Sequence, residues 1–200
     1  MIRVVTAVFM MVAVIAALPS PVSAQTASKE PPDPTKSSFG ERSTRTPQEL
    51  SVFSFLIGKF EGAGTIKLAD GKLAEFPVTW IGRYILDGTA ISDEMHSFGP
   101  DGKPYLGITL RQYDTARKTW IIEYLNVTGS FVRKQVNRDA GAVTLNGRNV
   151  TIASASPSVT IREHYLVPDN DSFVYRLDVS EDGGKNWIET QMEMTLRRAK

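Results

Sequence analysis

The sequence predicts an all-β fold, an antiparallel up-and-down β-barrel with about ten strands and one short N-terminal helix. Short segments in which apolar and polar residues alternate fill the chain from residue 60 to its end. Tight-turn dipeptides separate many of these segments, for example Asp70-Gly71 and Asn146-Gly147. Strands joined by short turns are antiparallel, and closing such a sheet into a barrel removes its exposed edges.

The composition excludes several classes of function. The chain has 200 residues, enough for one domain with its own core. Its 23 basic residues are balanced by 22 acidic ones, and this argues against nucleic acid as a partner because phosphate binding needs an excess of positive charge. The sequence contains no cysteine, which excludes disulfides, thiolate nucleophiles and cysteine-ligated metals.

Residues 1–24 have the pattern of a secretory signal peptide. One positive charge, Arg3, precedes an apolar run over residues 4–18, and the segment closes on the small residues Ser23 and Ala24. A transmembrane helix needs about 20 apolar residues, and this run is shorter. A cleaved signal peptide is therefore favoured, and an uncleaved membrane anchor is the alternative. We expect an exported protein, periplasmic or extracellular, that begins at Gln25 and has no membrane contact after cleavage.

The segment between the signal and the barrel predicts a disordered linker over residues 25–45. It is rich in Pro, Ser, Thr, Lys and Glu, and Phe39 is its only large apolar residue. The barrel domain is expected to span residues 46–200 and to begin with a short helix. Thr46, Pro47 and Glu49 match a capping box, and Gly58 ends the helix, which should plug or flank one end of the barrel.

The predicted strands follow the helix at regular spacing, as expected of a sandwich or barrel. They are residues 60–68, 76–86, 89–98, 105–113, 120–127, 130–137, 142–145, 149–153, 159–167, 172–179 and 186–197.

Residues 55–65, FLIGKFEGAGT, resemble the FLxGxWxGxG opening of calycin or lipocalin-like barrels, including the nitrobindin-type haem-binding barrels. The chain is more similar to a secreted bacterial family of unknown function, through Gly107, Tyr113-Asp114 and Trp120. The resemblance implies a barrel fold. It also implies haem in the nitrobindin-type members, bound by a histidine on a late strand. Because residues 186–197 contain no histidine, we expect no cofactor, and haem is the minority alternative.

Residues 180–187 fit the S-x-D-x-G-x-x-W Asp-box pattern. A short aspartate side chain can accept hydrogen bonds from turn amides, and the glycines permit positive φ. The pattern therefore predicts a self-bonded hairpin, and the loop has too few acidic residues for a calcium site, so no metal is expected.

Candidate catalytic residues are His96, Arg111, Tyr113 and Glu94. Glu94 and His96 share one strand face, as do Arg111 and Tyr113, so inward-pointing faces would bring them together. Histidine would then act as general base and Tyr113 as hydrogen-bond donor. On a later predicted strand, Arg162 and His164 alternate with apolar residues. This pattern favours the solvent face for both and places Glu163 nearer the core.

Candidate ligand-binding residues are aromatic and methionine side chains on predicted strands, because in a barrel the core and the pocket occupy the same place. They are Trp80, Tyr84, Trp120, Tyr124, Met192 and Met194.

The leading functional prediction is an exported barrel that binds a small apolar or amphipathic ligand in its interior. The alternatives are a barrel enzyme, such as a lyase, isomerase or hydratase, and a structural envelope module with a filled core. The sequence indicates no oligomeric state.

Overall fold

The computed structural model describes residues 38–99, 101–128, 132–140, 142–155 and 159–200. The predicted signal peptide and linker residues 25–37 lie outside this part of the chain. Within it, no helix has the length and hydropathy needed to cross a membrane.

The described chain is an all-β structure in which every pairing between neighbouring strands is antiparallel, which confirms the predicted fold class. Its strands are β1 (Gly58–Lys67), β2 (Leu73–Ile85), β3 (Ala90–Phe98), β4 (Pro104–Asp114), β5 (Thr119–Thr128), β6 (Val132–Ala140), β7 (Ala142–Asn146), β8 (Asn149–Ala155), β9 (Thr160–Leu166), β10 (Ser172–Ser180) and β11 (Ile188–Arg198).

The sheet curls into a nearly closed barrel. Its strand order is β6-β5-β4-β3-β2-β1-β11-β10-β9-β8-β7, so β6 and β7 form the two edges. One residue of sequence separates these two strands, and β6 also contacts β8. Together β6 and β7 act as one long strand that pairs with β5 along one part and with β8 along the other, giving a barrel of 10 strands. This arrangement leaves little free edge.

A 3-10 helix, Gln48–Leu56, precedes the barrel and plugs one end of it, as expected. Leu50, Phe53 and Leu56 are completely buried. The helix end lies so close to β2 that a Cβ atom at Gly82 would be 1.9 Å from the Leu56 carbonyl oxygen. Position 82 must therefore be glycine for the helix to pack against β2.

The predicted capping box is wrong. No side chain of the described residues caps this helix, and Pro47 occupies the N-cap position. The Thr46 hydroxyl instead donates to the Gly88 carbonyl oxygen at 2.5 Å, in the turn between β2 and β3. Thr46 lies one position before the N-cap, so its hydroxyl is turned toward this tertiary acceptor and not toward the helix amides.

Residues 38–45, the last part of the predicted linker, lie along the plugged end. The Tyr84 amide donates to the Phe39 carbonyl oxygen at 2.8 Å, and the Ser43 amide donates to the Gly88 carbonyl oxygen at 3.3 Å. These backbone bonds extend the pairing of β2 at its far end.

The Asp-box hairpin between β10 and β11 is bonded to itself, as its pattern predicts. Asp182 Oδ1 accepts from the Ser180 hydroxyl at 2.8 Å and from the Asn186 amide at 2.9 Å. The Trp187 indole donates to the Gly184 carbonyl oxygen at 3.0 Å. These bonds hold the pKa of Asp182 at about 2, the Asn186 amide and side chain being the largest causes.

Candidate functional site

The interior of the barrel is open at the end opposite the helix. It holds two adjoining cavities of about 170 Å³ and about 200 Å³, an inner and an outer one. Each alone is smaller than the range for small-molecule sites, which begins at roughly 300 Å³, so a ligand of that size would have to occupy both. Four residues line both cavities, namely Met95, Tyr105, Leu177 and Met192.

The inner cavity is lined by residues from seven strands, β2 to β5 and β9 to β11. Because side chains alternate between the two faces of a strand, β4 turns Tyr105, Gly107 and Thr109 inward and β10 turns Tyr175 and Leu177 inward. A Cβ atom at Gly107 would lie 2.7 Å from the Tyr124 hydroxyl, so the glycine makes room for that ring. The remaining lining residues are Trp80, Asp93, Met95, Tyr124, Ile161, Glu163, Met192 and Met194.

The wall of the inner cavity combines carboxylates and phenols with apolar groups. Tyr175 donates to Glu163 Oε1 at 3.0 Å, and the hydroxyls of Tyr105 and Tyr124 are hydrogen-bonded to each other. Asp93 adds a second carboxylate. Among the described lining residues there is no basic side chain.

The outer cavity is more apolar and leads to the open end. Ile66, Phe76 and Phe98 line it together with Met95 and Met192. Phe98 is half exposed at the rim. The polarity of the interior therefore falls from the inner cavity toward the mouth.

Trp80 lies on the inner cavity and has an unusual feature. The residue is 4% exposed, its ring packs at 5.7 Å against Phe173 and at 5.8 Å against Tyr175, and its indole nitrogen has no hydrogen-bond partner among the described residues. A buried N–H without an acceptor costs about 1–3 kcal/mol.

A buried ionic network separates the inner cavity from the plug. Arg111 is ion-paired with Asp93, and its Nη2 donates to the Tyr165 hydroxyl at 2.8 Å. The guanidinium also lies 5.1 Å from the centre of the Phe53 ring on the plug helix. Each of these three polar residues is at most 1% exposed. The network ties the plug to the wall and presents Asp93 to the cavity.

Four of the six predicted ligand-binding residues line the cavities, namely Trp80, Tyr124, Met192 and Met194. Trp120 instead packs in the plugged half, 5.0 Å from the Phe53 ring. Tyr84 is partly buried at the far end of β2 near Phe39, and burial raises the pKa of its hydroxyl.

The four predicted catalytic residues do not share a site. Arg111 and Tyr113 are on the inward face of β4, and Tyr113 packs against Trp120. Glu94 and His96 are on the outer wall, where His96 is 47% exposed and bonds Glu94 at 3.1 Å. The structure therefore does not bring His96 and Arg111 into one pocket. The catalytic roles of the four residues remain a prediction.

His164 is also on the outer wall, as the alternation of β9 favours. It bonds Asp178 Oδ2 at 3.0 Å, and Arg162 reaches the same oxygen at 3.1 Å. Burial raises the pKa of Asp178, but bonds from the Thr190 amide and His164 and the charge of Arg162 outweigh it, so the pKa is lowered. Glu163, between the two basic residues, points inward as predicted.

The interior does not fit haem ligation through histidine. The chain has only two histidines, and both lie on the outer wall. No imidazole can reach an iron inside the barrel, and the described residues contain no group of three acidic or histidine side chains arranged for a metal.

Sequence reasoning missed Asp93, Met95 and Thr109 as cavity residues, and it placed Glu163 near the core without predicting that it lines a cavity. For Thr109 a signal was present, because it shares a strand face with Arg111 and Tyr113. For β3 there was none, because neither face is plainly apolar: Ala90, Ser92, Glu94, His96 and Phe98 lie on one face, and Thr89, Ile91, Asp93, Met95 and Ser97 on the other. The pairing of Met95 with Trp80 on β2 decides which face is inside.

Comparison with known proteins supports the fold. No family model matches the chain, and no curated protein matches it. Among solved structures, the crystal structure of Rv2717c from M. tuberculosis is similar, with a TM-score of 0.52 over 78% of this chain and 99% of that chain. The two sequences are 15% identical, so the likeness concerns the architecture alone. The chain is thus a structural neighbour of this mycobacterial protein.

Proposed function

We propose that this protein binds one small amphipathic molecule inside the open half of the barrel, without a chemical step. The observation that carries the proposal is the pair of adjoining cavities, which grade from a polar inner wall at Asp93 and Glu163 to an apolar mouth at Phe98. A barrel filled only for stability would leave no such space, because protein interiors are normally packed to crystal density.

The methionines support the same proposal. All three methionines after residue 11 line the cavities, namely Met95, Met192 and Met194. Methionine is flexible and polarizable, so it adapts to a bound apolar group without a fixed rotamer. The plugged half contains fixed aromatic rings instead.

The binding proposal is tested with the fluorescent apolar probe N-phenyl-1-naphthylamine. We expect saturable fluorescence enhancement that Leu177→Trp abolishes, because Leu177 lines both cavities and a larger ring would fill them. Val174→Trp, on the outer face of the same strand, is the matched control and should bind normally. Equal binding by both variants would place the probe outside the barrel and reject the proposal.

We propose further that the protein is exported. The support is the signal-peptide pattern of residues 1–24, with Gln25 as the first residue of the mature chain. Mass spectrometry of the protein made by a secreting bacterial host tests this directly. A mature chain starting at Gln25 is expected, and a full-length chain retained in the cytoplasm would contradict the proposal.

A further inference from the structure

The deep end of the inner cavity has a hydroxyl group that no other described residue binds. On β4 the inward positions run from Tyr105, which also lines the outer cavity, through Gly107 to Thr109, and the next one is Arg111 of the buried ionic network. Thr109 is 9% exposed, and its hydroxyl forms no hydrogen bond with another described residue. Because Thr109 lines the cavity, a ligand there can reach this hydroxyl.

The polar neighbours of Thr109 are already bonded to protein groups. Asp93, opposite Thr109 on β3, is ion-paired with Arg111. Tyr124, opposite it on β5, is hydrogen-bonded to the Tyr105 hydroxyl. A threonine hydroxyl can donate one hydrogen bond and accept two, so Thr109 has bonding capacity left for a ligand. A ligand hydroxyl matches it in either direction, because each group can donate to the other.

The space beside this hydroxyl has the size and the lining of a site for one aromatic ring. The inner cavity has a volume of about 170 Å³, and a cavity of about 150 Å³ holds one benzene molecule. Its lining includes the thioethers of Met95, Met192 and Met194, and sulfur atoms make favourable contacts with aromatic rings. The adjoining outer cavity, of about 200 Å³, is lined by Phe76 and Phe98 and can take an apolar substituent of that ring.

Resting on the proposed function, we infer that the ligand is a phenol with an apolar substituent. Its ring occupies the inner cavity, its hydroxyl bonds to Thr109, and its substituent extends into the outer cavity toward the mouth.

Three probes of similar size test the inference by isothermal titration calorimetry, namely 4-ethylphenol, ethylbenzene and 4-ethylcyclohexanol. We expect 4-ethylphenol to bind about 3- to 10-fold more tightly than ethylbenzene, which lacks the hydroxyl, and than 4-ethylcyclohexanol, which lacks the aromatic ring.

The outcomes separate this inference from the proposed function. Equal or tighter binding of ethylbenzene would overturn the assignment of the hydroxyl, and equal or tighter binding of 4-ethylcyclohexanol would overturn that of the ring. Either result leaves the barrel as a binding protein. Absence of saturable binding by all three probes and by 1-octanol, an amphipathic molecule without a ring, would instead reject the proposed function itself.

The role of Thr109 is tested with Thr109→Val, which keeps the shape of the side chain and removes its hydroxyl. This variant should bind 4-ethylphenol about 3- to 10-fold more weakly and ethylbenzene no more weakly than the parent chain. Thr195→Val makes the same change at an exposed position on the outer wall of β11 and should alter neither affinity. A Thr109→Val variant that weakens both ligands equally, or neither, would overturn the contact with Thr109.

The unaltered protein gives an independent readout that needs no variant to fold. An aromatic ring in the inner cavity shifts the signals of nearby methyl groups through its ring current. At saturation 4-ethylphenol should therefore shift the methyl signals of Met95, Met192 and Met194 much further than 4-ethylcyclohexanol does. Shifts of equal size with the two probes would overturn the placement of the ring in the inner cavity.

Discussion

The two halves of the barrel interior are built from the same strands but are packed differently. Near the helix, Phe53, Trp120 and Tyr165 interlock edge to face around the buried Arg111, and the space is filled. Toward the open end, the same alternation of β4 brings Gly107 and Tyr105 inward, and space remains. The proposed function thus assigns stability and binding to opposite ends of one continuous sheet, and substitutions should separate them.

The largest expected effect is on the buried ion pair of the plugged half. Arg111→Met leaves the Asp93 carboxylate buried without its partner, which should lower the free energy of unfolding by about 3–5 kcal/mol. Urea denaturation followed by circular dichroism measures the loss.

The matched control removes both charges. In Asp93→Leu combined with Arg111→Met no charge is left buried, so most of the lost stability should return. A single variant as stable as the parent chain would show that the network does not hold the plugged half together.

The next effect contrasts one side chain from each half. Phe53→Ala should cost about 3–5 kcal/mol, because Phe53 is completely buried and its removal leaves a cavity. Met192→Ala, at a partly buried position beside existing space, should cost less, about 2 kcal/mol, while weakening probe binding. Thermal unfolding and probe titration of the two variants check the contrast, which fails if both lose equal stability.

The fold could be predicted from the sequence because it rests on local signals. Turn dipeptides and period-2 alternation place all eleven strands of the described chain within a few residues of their observed bounds. Those same signals leave the inside of β3 undecided, since it depends on which residue of β2 lies opposite. The cavity itself could not be predicted from the sequence for this reason: its volume depends on side chains from seven strands, among them Trp80, Tyr124 and Tyr175.

A smaller effect is expected at Gly107, in the open half. In Gly107→Ala the new Cβ atom must displace the Tyr124 ring, from which it would lie 2.7–3.2 Å. Overpacking of this kind costs about 1–3 kcal/mol, and the cavity should shrink, so the affinity for the probe falls. Adding Tyr124→Phe removes the nearest atom and should restore part of both quantities; no recovery would mean that the two residues do not compete for this space.

The smallest effect concerns the Asp-box hairpin between β10 and β11. The pKa of Asp182 lies at about 2, below its ordinary value of 3.8, so its contribution to the hairpin is present above pH 4 and is lost as the pH falls through about 2. Trp187 fluorescence should therefore change in that window in the parent chain. In Asp182→Asn the change should vanish, and an unaltered transition would assign it to another group.

The central claim is that the open half of the barrel is a binding site and the plugged half is not. Methyl-labelled methionine gives a direct test, because Met95, Met192 and Met194 line the cavities and the other three methionines lie within the first 11 residues. Titration with 1-octanol should shift the three barrel methyl signals together and saturably. Unchanged positions of all three at saturating probe would contradict the claim.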